Sequence, residues 1–282
     1  LALDFMVEKG VFGDKRRVLK YFAMGVGLAI LFGLILLLAQ FLFPYFRLEW
    51  TLKYWSHFVK FSGRGWMQTF IQFVKSCLYL SPFLVFTPLF LEREDFRKVR
   101  PFVFFIFLGL FFYIILFDFS EGALDRYFQF LVLPLSVIAG VVCSRNFVFN
   151  KKYFLPPVVI GVTVYLLQFF NHYVPSLHPK SEWIGRILSL KWNFLYPFSG
   201  GSGPLGFYIS FAFMGLLWIV SFILVAQKFI NKKSDRAMIA GLIVFGIFYN
   251  TVFVQEYLFG FINGYAPKLV RDAVVFIKDN GD

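Results

Sequence analysis

Between Tyr21 and Phe46 the chain reads YFAMGVGLAILFGLILLLAQFLFPYF without one charged residue. About 20 consecutive apolar residues are what an α-helix needs to cross the hydrocarbon layer of a bilayer. Comparable runs follow at Met67–Leu91, Pro101–Phe117, Tyr127–Cys143, Phe154–Tyr173, Leu205–Gln227 and Ala237–Phe261, the third and fourth runs of the chain being short. A single water-soluble core has no room for so much apolar surface. Hydrophobic residues make up 59% of the chain and charged residues only 16%, against about 25% charged in ordinary soluble domains. Mean hydropathy is +0.70. The expected fold is an all-α polytopic transmembrane helical bundle of about seven spans. Residues 1–20 then form a cytoplasmic segment, 21–263 the transmembrane domain, and 264–282 the start of an extracytoplasmic C-terminal region.

Charge sets the expected orientation. The formal net charge is +12, which in a soluble protein would suggest nucleic acid as a partner. In a membrane protein, Lys and Arg concentrate in short cytoplasmic loops. Taking the spans alternately, the segments before Tyr21, at EREDFRKVR, at SRNFVFNKK and at KFINKKSDR hold 16 Lys and Arg, and the opposite set holds 11. Lys75 falls inside the second span. This places the N-terminus inside and the C-terminus outside a plasma or inner membrane, with no nucleic-acid partner. The opening at Leu1 without an initiator Met, in LALDFMVEKGVFGDKRR, reads as an internal fragment. Cys77 and Cys143, the two cysteines, have no CxxC or Cys/His neighbour, so neither a disulfide nor a metal site is indicated.

The outward segments carry the candidate chemistry. Ionisable groups near a bilayer are costly unless paired, and they are read first as functional. The stretch EGALDRYFQFLVLPLSVIAG sets Glu121, Asp125, Arg126 and Tyr127 just before a proline-containing apolar run. On a helix, Asp118, Glu121 and Asp125 share one face. Arg126 then pairs with one carboxylate and turns its remaining donors to a phosphate, for which the planar guanidinium is suited. The bland alternative is an interfacial cap, with acids at a helix start and Arg and Tyr anchored at headgroup depth. The first outward loop interleaves Trp50, Trp55 and Trp66 with Lys53, His57, Lys60 and Arg64. That mixture fits a sugar face and a phosphate, and it fits equally an amphipathic helix lying in the interface. Gly201, Gly203 and Gly206 match G-x-G-x-x-G but lack the strand and βαβ context of a dinucleotide site. They read as a flexible approach to the sixth span. His178, Lys180, Glu182, Trp183 and Arg186 read as a short interfacial helix.

The segment DRYFQFLVLPLSVIAG, Asp125 to Gly140, resembles the Arg/His-Tyr-leading, proline-containing span of type-C membrane glycosyltransferases, in the protein-mannosyltransferase and aminoarabinose-transferase branch. The tail PKLVRDAVVFIKDNGD also looks like the helix that follows the last span in bacterial members. The resemblance implies transfer of a sugar from a polyprenyl-phosphate carrier to a protein, lipid or glycan acceptor on the extracytoplasmic face. No nucleotide, metal or other cofactor is implied, since the sugar arrives activated on lipid. The family's catalytic carboxylate sits in an early outward loop, expected to lie before Leu1, so no catalytic residue is assigned within this sequence. Arg126 and Tyr127 would lie by the carrier phosphate, with Lys53 and Arg64 as further cations. Trp55, His57, Glu121 and Asp125 would belong to the donor and acceptor loops. Two other classes account for the same spans: a transporter or flippase, expected to carry broken helices and mid-membrane charge, and an O-antigen ligase or polymerase.

Overall fold

A computed structural model describes residues 7, 10, 13–43, 45–56, 65–116, 128–171, 173–175, 181–197, 208–231, 235–259 and 265–281. Its helices are α1 (Lys15–Leu42), α2 (Leu48–Ser56), α3 (Trp66–Tyr79), α4 (Pro82–Phe86), α5 (Arg93–Leu110) and α6 (Val132–Asn146). They continue with α7 (Lys151–Leu166), α8 (Ser181–Leu188), α9 (Phe211–Asn231), α10 (Asp235–Phe259) and α11 (Tyr265–Asn280). Tighter or looser turns extend several of them. A 3-10 segment, Thr87–Phe90, follows α4, a π-helical turn, Phe111–Leu116, ends α5, and a 3-10 segment, Phe128–Leu131, leads into α6. Between α8 and α9 lie two three-residue strands, β1 (Leu195–Pro197) and β2 (Tyr208–Ser210). They pair antiparallel, with Tyr196 opposite Ile209.

Six of the helical segments are long and apolar enough to cross a membrane, or seven if one bent pair counts as a single span. The bent pair corrects the sequence reading. The run Met67–Leu91 is not one straight helix: Trp66–Tyr79 and Pro82–Phe90 meet at 110°. The short third and fourth runs also change. They extend to Arg93–Leu116 and Phe128–Asn146, because charged residues outside the apolar window still form helical turns.

The chain divides into two compact units, Leu1–Phe73 with Phe96–Pro134, and Val74–Asp95 with Leu135–Asp282. In the first, α1 is apolar on every side and none of its span is buried against protein, as suits a helix whose surroundings are lipid. Its first turn is capped by the Asp14 carboxylate, which accepts from the Arg16 N–H at 2.9 Å. Elsewhere in this unit Phe130 packs edge-on against Phe105 at 5.8 Å and tilts over Tyr113 at 5.4 Å.

The second unit is built around α7, α9 and α10. Its main core joins Phe213, Met214 and Leu217 of α9 to Phe245, Tyr249 and Val252 of α10, with Phe194, Tyr196 and Ile209 of the hairpin. Close approach depends on Gly161 of α7, where a Cβ would strike the Phe248 ring of α10. Small residues let membrane helices approach in this way, since packing replaces the hydrophobic drive available in water. The hairpin is fixed to the helix ends by a buried polar seam. Gln168 accepts from the Ser210 N–H at 2.8 Å, and Asn171 donates to the Ser210 hydroxyl at 2.6 Å. That hydroxyl also faces the Phe213 N–H at 3.4 Å, as an N-cap of α9 should.

The two ends of this unit differ chemically. At one end, Arg145 at the end of α6 pairs with Asp95, lies 2.9 Å from Glu92, and donates to the Phe90 carbonyl at 3.1 Å. Lys228 of α9 reaches Asp235 at 3.2 Å and sits 4.3 Å above the Phe90 ring. Parts of three basic loops, EREDFRKVR, SRNFVFNKK and KFINKKSDR, therefore meet at one end. The other end holds the hairpin, α8, and the contact of Tyr165 with Gln255 at 2.6 Å.

Candidate functional site

Of the residues singled out in the sequence, Lys53 is described and lies exposed on α2. On the same helix Trp50 is exposed and carries the Arg47 guanidinium 5.2 Å from its ring centre. Trp55 belongs to α2, but its side chain is outside the described set. His57, Arg64, Glu121, Asp125, Arg126 and Tyr127 all lie outside the described residues, as do Asp118, His178, Lys180 and the Gly201–Gly206 stretch. Within the described residues, none of the predicted site residues are brought together.

The flanks of the 117–127 stretch are informative. Before it, α5 loosens into the π-helical turn Phe111–Leu116; after it, the chain resumes as the 3-10 segment Phe128–Leu131. Phe128, the neighbour of Tyr127, is 1% exposed and meets Phe73 edge-on at 5.7 Å. Departures from α-geometry of this kind recur beside functional sites.

The feature that sequence reading missed is the break between α3 and α4. Pro82 has no N–H, so the carbonyl four residues earlier, that of Leu78, loses its helical donor. The Tyr249 hydroxyl of α10 donates to that carbonyl. One turn earlier on α10 is Gly246, where an added Cβ would lie 2.6 Å from the Phe83 Cβ and 3.0 Å from the Ser81 hydroxyl. Glycine is what allows α10 to meet the break. The Ser81 side chain makes no cap bond, and its buried hydroxyl has no hydrogen-bond partner among the described residues. Gly246 lies eleven residues after Asp235, roughly 16 Å along the helix at 1.5 Å per residue. The span Asp235–Glu256 is 22 residues long, so the break sits near its middle. Irregular backbone at that depth is tolerated only when enclosed by protein or facing a polar cavity. The sequence signal was Ser-Pro inside an apolar run, which averaged hydropathy conceals.

Tyr249→Phe removes the one hydroxyl that satisfies the Leu78 carbonyl while keeping the ring. The expected result is a loss of about 1–3 kcal/mol in stability, the cost of an unpaired buried acceptor, read as a lower melting temperature in detergent. An unchanged melting temperature would show that the carbonyl finds another donor.

No protein-family model, no curated protein and no solved structure matches the chain. The described helices define a polytopic helical membrane protein.

Proposed function

We propose that the protein is a membrane glycosyltransferase that takes a sugar from a polyprenyl-phosphate carrier and passes it to a protein, lipid or glycan acceptor on the extracytoplasmic face. The observation that carries this reading is the Asp125–Gly140 stretch, in which charged residues and Tyr127 precede a span with Pro134 in its first helical turn. Sidedness supports it. The end where Arg145, Lys228 and their basic loops gather is assigned to the cytoplasm by the positive-inside rule. From Arg93, beside that end, the span to Leu116 is 24 residues long, enough to carry the chain across. On that assignment Glu121 to Tyr127 would follow the span on the extracytoplasmic side.

The chemistry is electrostatic. As the glycosidic bond breaks, negative charge develops on the departing lipid phosphate, and fixed cations in a dry site stabilise it. Arg126 fills that role, with Lys53 and Arg64 as outward cations and Tyr127 as a hydroxyl donor. Glu121, Asp125, Trp55 and His57 line the approach of sugar and acceptor. A carboxylate deprotonates the acceptor hydroxyl; no residue of this sequence is assigned that role.

A second reading, a transporter or flippase, is favoured by the broken helix, because such breaks near the midplane commonly hold transported substrates. One experiment distinguishes the two. The full-length protein in detergent, where no second compartment exists, is expected to transfer labelled sugar from a polyprenyl-phosphate donor to acceptor. A polyprenyl-phosphate should also stabilise it thermally by about 2.7 kcal/mol at a hundred-fold excess over Kd. A neutral polyprenol of the same length should do far less. Equal stabilisation by both lipids, with no transfer, would discard the enzyme in favour of the transporter.

A further inference from the structure

Helix α8 and the turn that ends it carry an arrangement that is unfavourable in water. On its inner side, Trp183 and Ile187 pack against the main core, and Trp183 meets Tyr196 edge-on at 5.1 Å. Its polar side is already internally paired. Glu182 accepts from the Tyr173 hydroxyl at 2.7 Å, while the Arg186 guanidinium stands 4.1 Å from the centre of the Tyr173 ring and 3.6 Å from Glu182.

The helix is closed by the Lys191 N–H donating to the Arg186 carbonyl at 2.9 Å. That six-to-one bond requires a left-handed residue just before it, normally glycine. Here the residue is Leu190, with φ 58°. A leucine held in this conformation is strained by its own Cβ. The residue is also 76% exposed, and Leu188 is 78% exposed. Two bare leucines on one turn would be favoured by an apolar medium.

Depth identifies the medium. Trp192, one residue past Lys191, donates from its indole N–H to the Ile187 carbonyl at 3.1 Å. The same indole lies 3.3 Å from where a Cβ on Gly215 would stand. Gly215 is four residues into α9, roughly 6 Å below its start at 1.5 Å per residue, and α9 is a candidate span from Phe211 onward. Trp192 is therefore level with the first turns of a candidate membrane helix, and Leu188 and Leu190 lie within four residues of Trp192 in the chain. Trp and Tyr favour that boundary, and Lys reaches lipid phosphates from it.

We infer that the 188–191 turn is an interfacial anchor: Leu188 and Leu190 are immersed among the acyl chains of one leaflet, and Lys191 meets phospholipid headgroups. The occupant of this surface is lipid, not a second protein.

The test uses full-length protein in phosphatidylcholine/phosphatidylglycerol nanodiscs, with Cys77 and Cys143 replaced by alanine. Single cysteines at 188, 189 and 190 carry a nitroxide label. Collision with oxygen, which concentrates in acyl chains, is compared with collision with a water-soluble nickel complex. Labels at 188 and 190 are expected to favour oxygen several-fold over the label at 189, whose exposed serine lies between them. Nickel accessibility at 188 and 190 equal to that at 189 would place the turn in water and overturn the anchor. Shielding of 188 and 190 from both reagents would overturn it in favour of a protein partner. If the cysteine-free chain fails to fold, the native thiols are kept and their own signal is subtracted.

Discussion

Arg145→Met should be the most destabilising single substitution at the charged end of the second unit, costing about 3 kcal/mol. Arg145 is the cation on which Glu92, Asp95 and the Phe90 carbonyl converge. Asp95 matters most, because its side chain is only 8% exposed, whereas that of Glu92 is 64% exposed. Methionine keeps most of the arginine stem's packing, so the loss isolates the charge. Removing the cation takes from a buried carboxylate its Arg145 partner, and the weakened compensation of that charge sets the cost. The double substitution Arg145→Met with Asp95→Leu should recover most of the stability, since an apolar pair replaces a buried ion pair at little penalty. Thermal melting of the purified variants in one detergent checks both. A single variant that melts with the wild type, or a double variant no better than the single, would mean that headgroups and water already screen this node.

Arg126→Ala is expected to lower sugar transfer by about 10²–10³-fold, the usual effect of deleting one fixed donor at a developing negative charge. On the proposed reading Arg126 serves the phosphate, so expression and melting temperature should stay near wild type. Arg126→Lys should recover only part of the activity: it restores a charge but not a planar fork of donors. The check is transfer from a polyprenyl-phosphate sugar by full-length protein. Turnover equal to wild type would return Arg126 to the role of a headgroup anchor beside Tyr127.

The spans were readable because hydropathy over twenty residues leaves few alternatives to a membrane helix. What it misjudged were boundaries and interruptions. Pro101 looked like a helix start, yet it lies inside α5. The preceding turns, from Arg93, are helical although charged, because they extend past the apolar layer. At Ser81–Pro82 the opposite error occurred, and a break was averaged away within a strongly apolar window. It became visible as a 110° bend, accommodated by Gly246 and Tyr249, whose relation to Pro82 no local pattern encodes. The hairpin was missed for a similar reason: its strands are three residues each, and the glycine-rich segment joining them read as slack. The charged end was legible in part. Alternation of basic loops expected EREDFRKVR, SRNFVFNKK and KFINKKSDR on one side, and residues from each do come together around Phe90; the pairing of Arg145 with Asp95 was not foreseen. The candidate site was legible only as composition, since the stretches that carry it, 57–64 and 117–127, are outside the described residues.

The tyrosine that closes the helix break has a consequence for how the protein is made. Leu78 and Tyr249 are 171 positions apart. Ribosomes add roughly 5–20 residues each second, so Tyr249 emerges some ten to thirty seconds after the carbonyl it serves. Throughout that interval the Leu78 carbonyl must use another donor, and hydrocarbon provides none. The nascent segment around Pro82 is thus better placed at the wet margin of the insertion machinery than at its final depth. The partner that carbonyl has in the folded chain arrives only with the helix that carries Tyr249.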